Sequence, residues 1–289
     1  MKRNSVSMFC LWFSFTLFIP LFLGCSEPKE TPTKGYLKAY VDESLKKVMI
    51  AERDKFVSLY NNAVIDLEFI TAREGIAKVL NNEAKFFVCS RELNNEEKEF
   101  ISKKRPDTKV FKFCYDGVAV IVPSVSAVDR IKIPTLINLL TGKDFSYKIY
   151  LPQKNSGVYE FITQKLLNGN EPKYVNIVYN EKDVIDKILK VKNAMGFVGI
   201  DLIGSNTKIK ALKLGMNNAN ETTYYSPSQG YFVNETYPLT RTTIILLNEV
   251  GLGLASGFTT FLTSNEGQKI VADNKLGPAT VPVKLIQLY

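Results

Sequence analysis

The feature that most constrains this chain is a repeated alternation of short apolar runs with amphipathic stretches, starting near residue 36. Residues 36–41, 64–70 and 86–89 read as strands. Between the first two, Leu45, Val48, Met49 and Phe56 mark one face of a helix, and between the last two, Ile76, Val79 and Leu80 mark the inner face of a shorter one. Asn94 with Glu97 three residues on forms a capping pair for a helix running to about Lys104. Strand–helix alternation of this kind predicts an α/β fold with a mainly parallel sheet covered on both faces. Ligands in such folds sit at the carboxyl ends of the strands. Ser44, Ser90 and Arg91 all fall at such ends.

The pattern repeats further on. Residues 116–122 form a long apolar strand, 134–140 a short helix closed by Thr141-Gly142, and 175–179 a strand followed by a helix over 181–190. Residues 194–200 are a glycine-punctuated strand, 209–214 and 240–247 are further strands, and 217–228 is polar and irregular. The segment 257–272 carries two helical pieces split near Ser264. Between the 134–140 helix and the 175–179 strand lie residues 151–167, LPQKNSGVYEFITQKLL. There the small polar run Lys154-Asn155-Ser156-Gly157 enters an apolar helical periodicity at Val158, Phe161, Ile162 and Leu166. Ser156 or Asn155 is the natural N-cap, and Gly157 admits another group to the first turn. A helix start like this offers unpaired N–H groups to an anion, and an ordinary capped surface helix shares the same pattern.

Composition excludes more than it specifies. The chain has no histidine, which removes Ser-His-Asp and Cys-His catalysis, histidine metal sites and the commonest general base. Neither an enzyme nor a cofactor or metal site is expected. The formal charge is +8, but the basic residues are scattered singly, so no nucleic-acid groove is indicated. Cys89 and Cys114 lie in apolar strand-like runs and read as two buried thiols; their spacing leaves a disulfide open. Gly196 and Gly199 are not part of a nucleotide fingerprint, since no G-x-G-x-x-G occurs.

The first residues read as an export signal. Lys2 and Arg3 precede an apolar run over 8–23 that is broken by Pro20 and ends in Gly24-Cys25-Ser26. The run is short for a membrane span and carries the order of a signal peptide. Leu21-Phe22-Leu23-Gly24-Cys25 resembles the lipobox of bacterial lipoproteins, which implies a signal peptide over 1–24 and lipidation at Cys25. Residues 25–34 then form a polar tether. Loss of the leader lowers the charge to about +6.

Several motifs, in this order, resemble the phosphate-binding proteins of phosphate ABC transporters. They are Ser90-Arg91-Glu92-Leu93, the strand from Asp116 to Val122, Leu139-Leu140-Thr141-Gly142-Lys143 and the glycine-rich strand from Ala194 to Ile200. Tyr237-Pro238-Leu239-Thr240-Arg241 and the segment Ser264-Asn265-Glu266-Gly267-Gln268 complete the set. The resemblance spans nearly all of 35–285. It implies a two-lobed type II periplasmic-binding fold of mixed sheets flanked by helices, with the ligand gripped between lobes. Lobe one would hold 35–115 with 232–289, and lobe two 116–231. The implied protein is an exported, membrane-anchored monomer that captures inorganic phosphate or a similar oxyanion for an ABC permease.

Carried over residue by residue, the family's anion contacts fall on Ser44, Ser90 and the Ser156-Gly157 helix start. Arg91 and Asn155 join this set, with Arg91 either an anion clamp or a salt-bridge partner of Glu92 or Glu96. The family's arginine before Ser-Gly is missing, and Lys154 stands in its neighbourhood. A lysine is a point charge and cannot fork two oxygens. Asp42 and Glu43 bring two carboxylates towards the site and repel an anion unless they point outward. Arg241 reads as a hinge or inter-lobe structural residue, and Asp116 as a hinge cap. An exported interaction or sensory protein with the same fold and a lost or altered ligand is the alternative reading. The leader makes one direct prediction: mass spectrometry of the mature N-terminus finds an acylated Cys25, and an unmodified N-terminus there would refute it.

Overall fold

A computed structural model describes residues 30–204, 207–217 and 222–280. The leader, Cys25 and the first part of the tether lie outside the described residues. No helix among the described residues is long and apolar enough to cross a membrane.

The chain opens with β1 (Gly35–Asp42), α1 (Lys46–Leu59), β2 (Ala63–Ile70), α2 (Ala72–Leu80), β3 (Phe86–Cys89) and α3 (Asn95–Lys104). The long β4 (Lys109–Pro123) then leads into β5 (Arg130–Lys132), α4 (Ile133–Thr141), β6 (Lys148–Leu151) and α5 (Gly157–Leu167). Next come β7 (Val175–Ile177), α6 (Glu181–Lys190), β8 (Ala194–Gly199), β9 (Ile209–Ala211), β10 (Lys213–Asn217), β11 (Thr222–Tyr225) and α7 (Gln229–Val233). The chain closes with β12 (Thr240–Leu247), α8 (Leu254–Thr263), α9 (Asn265–Asp273) and β13 (Gly277–Pro278).

The strands follow the order β2-β1-β3-β12-β4-β8-β6-β7. β1 is parallel to β2 and β3, and β6 is parallel to β7 and β8, as the alternation predicts. The sheet is mixed because β12 and β4 enter antiparallel at its centre. β4 is the strand that joins two halves. Its residues 109–117 pair with β12, and Val118 onwards pairs with β8 and then β9. The polar segment 217–228 is less irregular than its composition predicts, since β11 pairs with β10 in a small three-stranded sheet with β5.

Each half has its own core. Leu37, Val41, Val48, Phe56, Phe86, Phe113 and Phe258 pack together on one side of the first half, with Ile76, Phe87 and Leu246 on the other. In the second half Val120, Leu136, Leu151, Ile162 and Phe197 pack with Phe232, Tyr237 and Leu239, so the segment leading into β12 is built into that core. Two cores on two half-sheets, crossed by β4 and β12, make a two-lobed molecule whose halves meet at the crossing. Cys89 and Cys114 are separate, fully buried free thiols.

Local sequence explains most of the boundaries. Asn94 and Glu97 form a reciprocal capping box on α3, and Ser264 caps α9. Ser156 caps α5 by accepting from the Tyr159 N–H at 3.2 Å. Before α1 the capping side chain is Asp42, which caps a short 3-10 turn, and α1 itself has Leu45 at its N-cap with no side-chain cap. Asp42 accepts from the Ser44 N–H, and a 3-10 turn over Glu43–Leu45 precedes α1.

One core residue breaks the apolar rule. Glu52, on the inner face of α1, is fully buried, and neither carboxylate oxygen has a hydrogen-bond partner. Burial pushes its pKa up to about 9, so it is held neutral. The unfolded chain releases this proton near the ordinary glutamate value, whereas the fold keeps it until about pH 9. The contribution of Glu52 is therefore complete below the unfolded value and is lost as pH rises through the folded one. Urea denaturation at several pH values checks this: the stability of Glu52→Gln relative to the parent rises steadily from about pH 5 to about pH 8.

Candidate functional site

The site is built where the two lobes meet, from the ends of β1, β3, β4, β8 and β12 and the start of α5. Arg241 of β12 stands directly opposite Asp116 of β4 in the antiparallel register. Its Nε donates to Asp116 Oδ2 at 3.0 Å, and both side chains are about 1% exposed. Asp116 Oδ1 also accepts from the Gly117 N–H at 2.6 Å. The rest of the guanidinium faces lobe one: Nη2 donates to Ser44 Oγ at 3.0 Å and Nη1 to Ser90 Oγ at 3.2 Å.

Those two hydroxyls pass the polarity on to a single acceptor. Ser44 Oγ donates to Asp42 Oδ1 at 2.8 Å, the Ser44 N–H donates to the same oxygen at 3.0 Å, and Ser90 Oγ donates to Asp42 Oδ2 at 2.8 Å. Asp42 is 1% exposed and points inward. Gly157, the first residue of α5, closes the far side. A β-carbon there would fall 1.9 Å from Ser90 Oγ and 2.7 Å from Asp42 Oδ2, so only glycine permits this approach. Two serines, one arginine and a helix start thus surround one carboxylate.

Further carboxylates ring this centre. Glu181 Oε2 accepts from the Gly199 N–H at 2.6 Å, and burial pushes its pKa up to about 8. Burial opposes the charge of Arg241, and the carboxylates of Asp116, Asp42 and Glu181 outweigh it, leaving its pKa above the ordinary arginine value.

The remaining sequence-derived candidates are placed differently. Arg91 turns away from the centre: its Nη1 and Nη2 fork Glu97 at 2.8 Å each, and Nε donates to Glu160 of α5 at 2.7 Å. The partners weighed from sequence were Glu92 and Glu96, but the capping geometry of α3 turns Glu97 towards Arg91 instead. Burial opposes the Arg91 charge, and Glu97 and Glu160 more than offset that cost. Lys154 is exposed and pairs with Glu171, so it does not reach the cleft. Asn155 contributes its backbone carbonyl, which accepts from the Arg73 N–H at 3.3 Å. Ser156 supplies the α5 cap.

Four hydrogen bonds therefore tie the lobes around the centre. Arg91 and Arg73 of lobe one share Glu160 of lobe two, each at 2.7 Å. The Arg73 N–H meets Asn155, and the Lys47 N–H in the first turn of α1 donates to Asp201 at 3.2 Å. Sequence reasoning missed Glu160, Glu181 and Asp201 because each is a helix-face or turn acid with no local pattern to distinguish it. Asp42 was visible, but the distance to Ser44 and Ser90 that turns repulsion into hydrogen bonding is set by the fold.

A fold of this kind with donors converging at the strand ends defines a class. A family model described as the PBP superfamily domain matches residues 26–266, and the chain belongs to that superfamily. The chain is 23% identical over 268 residues to phosphate-binding protein PstS of Staphylococcus aureus strain USA300, covering 87% of this chain and 80% of that protein. Its fold is shared with a Clostridium perfringens substrate-binding protein assigned to phosphate ABC transport and solved with bound phosphate. That match has a TM-score of 0.73 at 18% identity and covers 85% of this chain and all of the other. An ABC-type phosphate transport receptor from Vibrio cholerae matches with a TM-score of 0.66 at 15% identity, covering 84% and 100% of the two chains.

The energetics separate the centre from its rim. Removing Arg241 leaves Asp116 buried without its partner, so Arg241→Ala lowers stability by about 3–5 kcal/mol. Lys154→Ala breaks only an exposed pair and leaves the denaturation midpoint unchanged. Parallel urea titrations of the two variants test the contrast; equal effects would contradict it.

Proposed function

We propose that this protein is an extracytoplasmic solute-binding lipoprotein that captures phosphate or a similar oxyanion for ABC-type uptake. The observation that carries the reading is the convergence of Ser44 Oγ and N–H and Ser90 Oγ on one acceptor close beside the α5 start, backed by Arg241. Short hydroxyl donors and a helix N-terminus suit a desolvated oxyanion, and each charge-assisted bond contributes on the order of 1.5–3 kcal/mol. Membership of the superfamily and the likeness to phosphate-binding relatives support it. In this reading residues 35–115 with 232–289 act as lobe one and 116–231 as lobe two, with Phe232, Tyr237 and Leu239 reaching across into the lobe-two core and the hinge where β4 and β12 cross. Lipidation of Cys25 holds the monomer at the membrane, and an ABC permease is its partner.

The site is a binding site rather than a catalytic one. With no histidine in the chain, the hydroxyls of Ser44 and Ser90 have no neutral base beside them, and both are committed to Asp42.

A second reading is favoured by one observation. Asp42 occupies the donors and Arg91 is saturated by Glu97 and Glu160. That arrangement suits an exported interaction or sensory protein whose ligand is lost or altered. Calorimetry of the delipidated protein with phosphate, sulfate and an organophosphate separates the two. The uptake reading expects heat with phosphate, weakened at least about tenfold in Ser90→Ala, the worth of one charge-assisted hydrogen bond. No heat with any of the three anions would remove the uptake reading and leave the interaction reading in its place.

A further inference from the structure

We propose that Asp42 is a built-in occupant of the anion cradle: its carboxylate replaces an external oxyanion and must be displaced by any anion the protein captures. The inference rests on reading this point as the anion site, and it deepens that reading by naming the residue that sets ligand selection.

Three features support it. Asp42 takes the contacts a captured oxyanion would take. One carboxylate oxygen accepts from the N–H and Oγ of Ser44, the other from Ser90 Oγ, and Arg241 donates to both of those hydroxyls from behind. A carboxylate with two oxygens and about four lone-pair positions satisfies such a cradle as an oxyanion would. The geometry is also filled. Gly157 approaches so closely that a single added carbon would overlap Ser90 Oγ at 1.9 Å, leaving no further atom room between the lobes at this point.

The cross-lobe contacts follow the same rule. In a hinge-closing binding protein the ligand supplies the contacts that favour the closed state. Here the chain supplies them itself. Glu160 from lobe two receives Arg91 and Arg73 from lobe one, and Asp201 from lobe two receives the Lys47 N–H in the first turn of α1. Like Asp42, each is a carboxylate of the chain placed on a cationic or N–H donor group.

Two consequences follow. Closure no longer requires ligand, so a partner that recognises the closed form meets it without phosphate. Phosphate must also compete with a tethered carboxylate at high effective concentration, which lowers its apparent affinity. Monoanions with fewer acceptors than Asp42 offers gain nothing by displacing it.

The test compares the delipidated parent with Asp42→Ala and Asp42→Asn, all exchanged into phosphate-free buffer. Asp42→Asn keeps the shape and the capping oxygen, and so covers the case in which the alanine variant fails to fold. Small-angle scattering reads closure, and calorimetry with inorganic phosphate reads affinity. The parent is expected to be compact, with a radius of gyration unchanged by phosphate. The variants are expected to bind it at least about tenfold more tightly than the parent. A parent whose radius of gyration falls on adding phosphate, or variants that bind phosphate no more tightly than a parent that binds it, overturns the inference. If neither the variants nor the parent binds phosphate, the oxyanion reading of the site falls and the inference falls with it.

Discussion

Everything at the meeting point of the lobes depends on the buried pair between Arg241 and Asp116. The two strands that cross between lobes, β12 and β4, present these residues opposite each other with almost no solvent access. A buried ion pair is a weak source of net stability, since desolving two charges offsets their attraction. Its value here is directional. Held by Asp116 on one edge, the guanidinium is fixed with its remaining donors aimed at Ser44 and Ser90. Those hydroxyls must then donate onward, and the acceptor they meet is Asp42.

This chain of donation explains why an acidic centre is tolerated between two lobes. Asp42, Asp116 and Glu181 lie around a single guanidinium, a combination that would repel itself if all charges stood bare. Asp116 is paired directly, Asp42 is reached through two hydroxyls and a backbone N–H, and Glu181 is raised by burial towards its neutral form. Arg91 organises the rim in the same manner, by forking Glu97 within its own lobe and holding Glu160 across the cleft. At the meeting point of the lobes, acidic side chains of the chain itself are set on the donors.

Much of the fold was legible in the sequence because it rests on local signals. Apolar periodicity located β1, β3, α6 and β12, the Asn94–Glu97 pair located α3, and the break near Ser264 separated α8 from α9. The antiparallel entry of β12 at the sheet centre was not legible, because strand direction depends on where a distant segment returns. The site was legible in part. Ser44, Ser90 and Gly157 were marked by their place at strand ends and helix starts, and these are the positions the fold brings together. Lys154 was drawn in by sequence proximity to Ser156, yet the turn sends it outward to Glu171. Asp42 carried a signal of the right kind, a carboxylate next to the serines that the fold brings together. Its sign depended on distances between β1, β3 and β12 that no local pattern encodes.

The most direct measurement is a crystal structure of the delipidated protein, refolded from denaturant and crystallised without phosphate or sulfate. A closed molecule is expected, with the Asp42 carboxylate at hydrogen-bond distance, about 2.6–3.0 Å, from both Ser44 Oγ and Ser90 Oγ. An Asp42 side chain turned to solvent, with the lobes parted and Gly157 drawn away from Ser90, would contradict it.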